Sequence, residues 1–196
     1  MPDLTRTAKL ALRDQLLAAR RRIPVLDLGE AARATAEHLL ALEEVRRAAT
    51  VAAYVSVSHE PGTGPLLEAL AASGTRVLLP VVLPGMDLDW AAYAGPDDLR
   101  PARNLLEPAG ARLGVEAVAG ADVVLVPGLA VGRDGTRLGR GAGCYDRGLA
   151  RLPRDTFTCV VLHREEVLDA VPAEPHDVPV AAAVTPDGVL RLPARS

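Results

Sequence analysis

The sequence has few cysteines, few aromatic residues and no long hydrophobic run. Only two of its 196 residues are cysteines, Cys144 and Cys159, and two cysteines do not make a disulfide framework in a chain of this length. We therefore expect free thiols in a reducing compartment. The first residues carry frequent charges without an apolar stretch, so we expect no secretory signal. No segment approaches the ~20 apolar residues of a membrane span. These absences predict a cytoplasmic protein with no membrane partner.

The composition is that of a globular domain with a core of small aliphatic side chains. Hydrophobic residues make up 49% of the chain, charged residues 24% and aromatic residues only 3%. Such a core suits helices packed on a sheet, and 196 residues suffice for one domain. The net charge of -3 argues against a nucleic-acid partner. The one basic run, Arg20–Arg22, is expected on the solvated face of a helix.

Helical patterns alternate with short buried strands along the chain. We predict helices over residues 5–22, 28–42, 66–72 and 145–152, and strands over residues 49–57, 77–82, 86–93, 123–126, 158–162 and 180–185. The first two strands flank a helix, so they are expected to be parallel. Residues 95–114 look like a long surface excursion, and residues 132–135 like a turn. The alternation predicts a single α/β domain over residues 1–196, a three-layer sandwich of a mostly parallel sheet with helices on both faces.

The segment from Arg137 to Asp146 is the strongest candidate for a functional site. Glycine stands at positions 139, 141 and 143, and glycine lets backbone N–H groups approach an anion closely. Arg137 and Arg140 add positive charge for phosphate oxygens. Asp146, at the start of the following helix, could cap that helix or hold a metal ion. A flexible glycine turn with an N-cap aspartate explains the same spacing, which matches neither the Walker pattern nor the dinucleotide fingerprint.

A longer pattern around this segment resembles the signature of the 5-formyltetrahydrofolate cyclo-ligase family. It consists of Val126-Pro127-Gly128-Leu129-Ala130, then Asp134-Gly135, then Arg137-Leu138-Gly139-Arg140-Gly141-Ala142-Gly143-Cys144-Tyr145-Asp146-Arg147. Three other segments agree with the family in order and spacing: Lys9 with Arg13, Tyr54 to Glu60, and His176-Asp177 followed by Val184-Thr185. The resemblance thus extends over nearly the whole chain.

This resemblance implies an enzyme that uses ATP and Mg²⁺ to close 5-formyltetrahydrofolate to 5,10-methenyltetrahydrofolate, with release of ADP and phosphate. The fold would be Rossmann-like, related to the sugar-phosphate isomerase and CoA-transferase type, and we expect a monomer whose only partners are small molecules. The implied ATP-binding residues are Lys9, Arg13, Arg137, Leu138, Gly139, Arg140, Gly141, Ala142, Gly143, Cys144 and Tyr145. The implied folate-binding residues are Val55, Glu60, Arg140, Gly141, Ala142, Gly143 and Cys144. Arg140 and Tyr145 would be catalytic, and Asp146 and Asp177 would hold Mg²⁺.

Two positions of the glycine segment depart from the family pattern. Cys144 stands where the family often has tyrosine, and Ala142 where glycine or lysine is usual. An alanine fits there only if its φ is negative. A relative that binds folate or nucleotide without turnover therefore stays an alternative, as does a phosphosugar isomerase or acyl transferase on a similar scaffold.

Several of the other implied residues have simpler interpretations. Lys9 and Arg13 could form a solvated basic face of a helix, and Glu60 could be an ordinary loop carboxylate. His176 could be a polar loop histidine rather than a catalytic residue, and we expect Trp90 and Tyr93 to be packing residues.

Overall fold

The structure is a computed structural model that describes residues 4–193. Within these residues the α-helices are α1 (Leu4–Arg20), α2 (Val25–Ala41), α3 (Glu43–Arg47), α4 (Gly64–Ala72) and α5 (Cys144–Ala150). The strands are β1 (Thr50–Ala52), β2 (Arg76–Val82), β3 (Leu88–Ala92), β4 (Leu99–Ala102), β5 (Leu105–Pro108), β6 (Val123–Pro127), β7 (Ala130–Gly132), β8 (Arg137–Leu138), β9 (Phe157–Val161), β10 (Val167–Leu168), β11 (Ala182–Thr185) and β12 (Gly188–Arg191). No helix in this part of the chain is both long enough and apolar enough to cross a bilayer.

The main sheet has seven strands in the order β12-β11-β9-β6-β1-β2-β3. Its five inner strands pair in parallel, including the predicted pair β1 and β2, and the two edge strands pair antiparallel. A smaller sheet, β10-β7-β8, extends beyond β6, and β4 and β5 form a separate hairpin. The predicted mostly parallel sheet is confirmed.

Both faces of the main sheet are covered. Along β6, Val123 and Leu125 pack in one cluster with residues of α2 and α4, whereas Val124 and Val126 pack in a second cluster with Leu149 of α5. Successive side chains of a strand point to opposite faces, so a central strand that is apolar throughout needs cover on both sides. The predicted placement of helices on both faces is confirmed.

Several predicted boundaries are wrong, each for a local reason. β1 ends at Ala52 rather than at residue 57, because Ser56 and Thr63 exchange backbone–side chain hydrogen bonds of 3.0 and 3.1 Å that close a loop. The excursion at 95–114 contains the hairpin β4–β5. The turn predicted at residues 132–135 is confirmed, since Gly132 ends β7 and its carbonyl accepts the N–H of Gly135 at 3.0 Å. The short strands β7, β8 and β10 were not predicted, because a strand of two or three residues is too short to show an alternation of apolar and polar side chains.

The prediction that Arg20 lies on a solvated helix face is also wrong. Its side chain is buried, and its Nε and Nη2 atoms donate to the two carboxylate oxygens of Glu166 at 2.6 and 2.8 Å. Nη2 also donates to the carbonyl of Gly128 at 2.5 Å. The pair with Glu166 ties the end of α1 to the segment after β9, and the bond to Gly128 ties it to the loop after β6. Only Arg21 and Arg22 of the basic run are exposed.

Candidate active site

A cavity of about 1000 Å³ lies at the carboxyl ends of the parallel strands, where ligands bind in open α/β sheets. Its walls come from α1, the loop after β1, the hairpin β4–β5, the glycine segment with α5, and the loop at 174–177. Every residue for which the sequence predicts a role in the site lines this cavity, although the chain separates them by up to 168 residues. The fold therefore brings the predicted residues together, whatever their individual roles.

The glycine segment is a tight turn between β8 and α5. Gly141 and Gly143 have φ values of +100° and +68°, which a side chain would strain. Gly139 is packed against Arg137, since a Cβ at position 139 would lie 2.7 Å from the arginine Nη1. Among the described residues, Ala142 is not one of the non-glycine positions with positive φ. Ala142 therefore does not have the positive φ that would exclude an alanine from this position.

Arg137 forms the inner wall of the cavity. Its buried guanidinium donates to Asp146 Oδ1 at 2.9 Å and to the carbonyl of Pro127 at 3.2 Å, and it lies 5.9 Å from the centroid of the Tyr145 ring. Burial, with the Glu60 carboxylate nearby, raises the pKa of the Tyr145 hydroxyl far above its usual value. Tyr145 is therefore a neutral hydrogen-bond donor at physiological pH, not a base.

Lys9 also lines the cavity, where it lies between two carboxylates. Its buried Nζ lies 2.5 Å from Asp177 Oδ2 and 2.7 Å from Glu174 Oε2. Burial alone would lower the pKa of Lys9, but these hydrogen bonds and charges outweigh that effect, and the pKa is raised. Lys9 is thus a fixed ammonium cation rather than part of a solvated basic face.

The acidic groups beside Lys9 fit a divalent cation that prefers oxygen ligands. Asp177 gives Oδ2 to Lys9, and Asp146 gives Oδ1 to Arg137 and, at 3.4 Å, to the backbone N–H of Val178. Within the described chain, the second oxygen of each aspartate accepts no hydrogen bond. Ligand atoms of Glu174, His176 and Asp177 also lie within 4.8 Å of one another. One or two carboxylates with water are the usual protein ligands of Mg²⁺.

Glu60 and Arg140 form a third polar group of the cavity, and both also line a side recess that Lys9 does not line. Glu60 Oε1 lies 3.0 Å from Arg140 Nη2, and Glu60 Oε2 accepts the N–H of Val57 at 3.0 Å. The Glu60 side chain is 10% exposed and that of Arg140 is 54% exposed. The loop carboxylate is therefore held in one orientation, whereas the arginine is free to turn toward a ligand.

Sequence reasoning missed two polar residues of the site. Glu174 reaches Lys9 because its carbonyl accepts the N–H of Asp177 in a tight turn. The Pro175-His176 pair before Asp177 was the available signal of that turn. Arg147 donates to the carbonyls of Ala142 at 3.1 Å and Met86 at 2.9 Å, so it ties the glycine segment to the turn between β2 and β3. Its place in the family motif was the available signal.

The structure also bears on three residues with weaker predictions. Burial raises the pKa of the Cys144 thiol, so the structure gives no activated nucleophile there. Trp90 is buried in one hydrophobic cluster and Tyr93 packs, partly buried, against the other, which confirms both as packing residues.

Comparisons with known proteins converge on one family. The sequence model of the 5-formyltetrahydrofolate cyclo-ligase family matches residues 5–186. A 5-formyltetrahydrofolate cyclo-ligase of Mycolicibacterium smegmatis is 41% identical over 94% of this chain and 97% of its own, and one of Escherichia coli is 33% identical over 79% and 87%. The NMR structure of Aquifex aeolicus 5,10-methenyltetrahydrofolate synthetase superposes with a TM-score of 0.81 at 28% identity, covering 96% of this chain and 95% of that one.

Proposed function

Because the chain belongs to the 5-formyltetrahydrofolate cyclo-ligase family, we propose that it converts 5-formyltetrahydrofolate to 5,10-methenyltetrahydrofolate with ATP and Mg²⁺, releasing ADP and phosphate. The observation that carries the proposal is that two separate polar groups line one cavity: Lys9 with Glu174 and Asp177, and Glu60 with Arg140. The glycine segment, which contains Arg140, lines the same cavity. Such a cavity suits two ligands that must react where they meet.

The chemistry requires that an amide-like oxygen be made into a leaving group. The formyl oxygen attacks the γ-phosphorus of ATP and ADP departs. N10 of the folate then attacks the formyl carbon, and the phosphorylated oxygen leaves as phosphate. Little covalent chemistry falls to the protein, which has to align the two ligands and neutralise charge on the transferred group.

Lys9 and Arg13 would bind the nucleotide phosphates from α1. Arg13 donates to the carbonyl of Gly139 at 2.9 Å, so it also fixes the turn whose backbone N–H groups would face the phosphates. Arg140, the half-exposed cation beside the turn, would reach the transferred phosphoryl group, and Tyr145 would donate a hydrogen bond to it. Arg137 would act mainly by holding Asp146 and Tyr145 in place.

Asp146 and Asp177 would hold Mg²⁺ through their unpaired oxygens, and Glu174 is within reach of the same position. When bound, the ion supplies positive charge that stabilises the phosphate oxygens during transfer. The carboxylates also orient Lys9, so their negative charge serves the site even without the ion.

The direct test is an assay of the purified protein with 5-formyltetrahydrofolate, ATP and Mg²⁺, following the methenyl product by its near-ultraviolet absorbance. We expect product, ADP and phosphate in equal amounts, and none when ATP or Mg²⁺ is omitted. A non-hydrolysable ATP analogue is the matched control. Folate and nucleotide binding without ATP-dependent product under any condition would instead identify a non-catalytic relative.

A further prediction concerns Glu60, which we propose binds the pterin. In Glu60→Gln the side chain keeps its size, but a neutral amide replaces the carboxylate whose two oxygens would accept hydrogen bonds from the pterin N–H groups. We expect KM for 5-formyltetrahydrofolate to rise about 10²-fold, with KM for ATP within about twofold of wild type. Steady-state kinetics with each substrate varied in turn measure both. Asp14→Asn, an exposed acid on α1, is the control. An equal change in both KM values would contradict a pterin-specific role.

A further inference from the structure

The hairpin β4–β5 forms a wall of the cavity for which neither the sequence nor the family motif gives a role. Its residues 103–107 line the cavity, and Leu105 and Leu106 are 37% and 40% exposed. Met86, at the neighbouring turn, is also an exposed apolar residue of the same cavity. Glu107 fastens the hairpin to β2 by accepting the N–H of Val82 at 3.0 Å. The hairpin thus presents apolar side chains to a ligand space from a fixed base.

At the tip of the hairpin stands Arg103, a cation that has no partner among residues 4–193. The other basic side chains of the cavity all make ion pairs or hydrogen bonds within the chain: Lys9, Arg13, Arg137, Arg140 and Arg147. In the described part of the chain, the guanidinium of Arg103 makes neither. An unpaired guanidinium at the rim of a ligand cavity is suited to an anionic group of the ligand.

Arg103 adopts a backbone conformation that is unfavourable for an arginine in a hairpin turn. Arg103 and Asn104 connect the two strands, whose register runs from Leu99↔Pro108 to Ala102↔Leu105. Arg103 has a φ of +55°, and the first position of a two-residue hairpin loop with positive φ favours glycine or asparagine. Turn chemistry therefore does not account for the side chain. Strain of this kind persists where the residue serves the site.

The position of the hairpin distinguishes between the two ligands. A side recess of the site is lined by residues of the hairpin tip together with Glu60 and Arg140: Val57, Ser58, Glu60, Asn104, Leu105 and Arg140. The hairpin tip therefore adjoins Glu60 and Arg140. Arg103 lines the main cavity next to Asn104 and Leu105, which line both spaces, whereas no residue of the Lys9 and Asp177 group lines the recess. An anion held by Arg103 then belongs to the ligand bound at Glu60.

We propose that the hairpin β4–β5 binds the p-aminobenzoylglutamate half of the folate, with Leu105 against the benzoyl ring and Arg103 paired with a glutamate carboxylate. This inference rests on the proposed function and extends it to the part of the substrate that does not react. It makes Arg103 a determinant of affinity for the glutamate tail, with no part in the chemical step.

The test combines a variant with a change of ligand. Arg103→Gly removes the guanidinium and relieves the strained φ, so it should fold at least as well as wild type, with a Tm higher by about 2 °C. Arg100→Ala is the matched control, because Arg100 is an exposed cation of the same hairpin whose Nη1 bonds only to the nearby carbonyls of Asp97 and Leu99. Titration calorimetry without ATP measures Kd for 5-formyltetrahydrofolate and for an analogue in which a neutral amide replaces the glutamate.

We expect Arg103→Gly to weaken binding of 5-formyltetrahydrofolate about fivefold at low ionic strength, and less in high salt. Binding of the neutral analogue and KM for ATP should match wild type, and Arg100→Ala should change nothing. Equal Kd values for wild type and Arg103→Gly, or equal losses with both folates, would overturn the inference, and so would a change in KM for ATP alone. Because the titration needs no turnover, an Arg103-dependent Kd in an inactive protein would support this subsite while refuting the proposed reaction. A wild-type protein that binds no folate would refute both.

Discussion

Lys9→Met should lower kcat/KM by about 10³-fold, with most of the loss in kcat. Lys9 is the only lysine of the chain, and its ammonium is the compact cation that two carboxylates hold at the proposed phosphate site. Removing one preorganised charge from a water-poor site costs about 10²- to 10³-fold, and loss of a cation that meets the transferred phosphoryl group costs about 10³-fold or more. Steady-state kinetics with ATP and folate varied separately measure the change.

The same variant offers a readout that does not depend on activity. Without the ammonium, Glu174 and Asp177 face each other without a countercharge, so the variant should be less stable than wild type. A divalent cation can then replace the lost charge, and Mg²⁺ should raise Tm of Lys9→Met more than Tm of wild type. Arg21→Met, which removes an exposed cation just after α1, is the control and should change neither quantity. Near-normal kcat in Lys9→Met would remove Lys9 from the mechanism.

A conservative substitution separates charge from shape at this position. Lys9→Arg keeps the positive charge, but its planar guanidinium is larger than the ammonium that fits between Glu174 and Asp177. We expect stability close to wild type and a kcat that stays at least tenfold reduced. If arginine restored full activity, a general positive potential would be enough, and the compact geometry of Lys9 would not matter.

The sequence predicts those parts of the molecule that local patterns determine. The central strands are short, apolar and β-branched, and their alternation with helices leaves few arrangements other than a parallel sheet. The glycine segment is recognisable because Gly141 and Gly143 adopt backbone conformations that other residues avoid. The loop of Glu60 follows β1 of the main sheet, but the glycine segment follows β8 of the smaller sheet, so the order of strands in the parallel sheet does not by itself predict that the two meet.

The contacts that complete the site could not be predicted from local sequence patterns. Lys9 and Glu174 are 165 residues apart, and a single carboxylate in a loop has no period or spacing that points to its partner. The basic run that contains Arg20 has the pattern of a solvated surface, yet Arg20 is buried because Glu166, 146 residues away, neutralises it. The hairpin β4–β5 was hidden because Pro, Asp and Arg suggest an irregular loop, whereas its pairing depends on only four residues per strand.

Glu166→Gln should destabilise the fold by about 3–5 kcal/mol, because it leaves the buried guanidinium of Arg20 without its countercharge. Both side chains are nearly inaccessible, at 3% and 4% exposed, so water cannot take over the lost interaction. Glu166 Oε2 also accepts the backbone N–H of His163 at 2.8 Å, a second bond that the amide oxygen of glutamine preserves only in one orientation. Urea denaturation followed by circular dichroism measures the free energy of unfolding.

Glu43→Gln is the matched control for that prediction. Glu43 pairs with Arg47 one helical turn away, but both side chains are more than half exposed, and pairs of this kind contribute about 0.3–0.5 kcal/mol. The two variants make the same chemical change and differ in burial, so equal losses of stability would contradict the structural role of the Arg20–Glu166 pair. Arg20 ends the helix that carries Lys9 and Arg13. Loss of its anchor should therefore also raise KM for ATP while KM for the folate, whose proposed contacts lie on other segments, changes less.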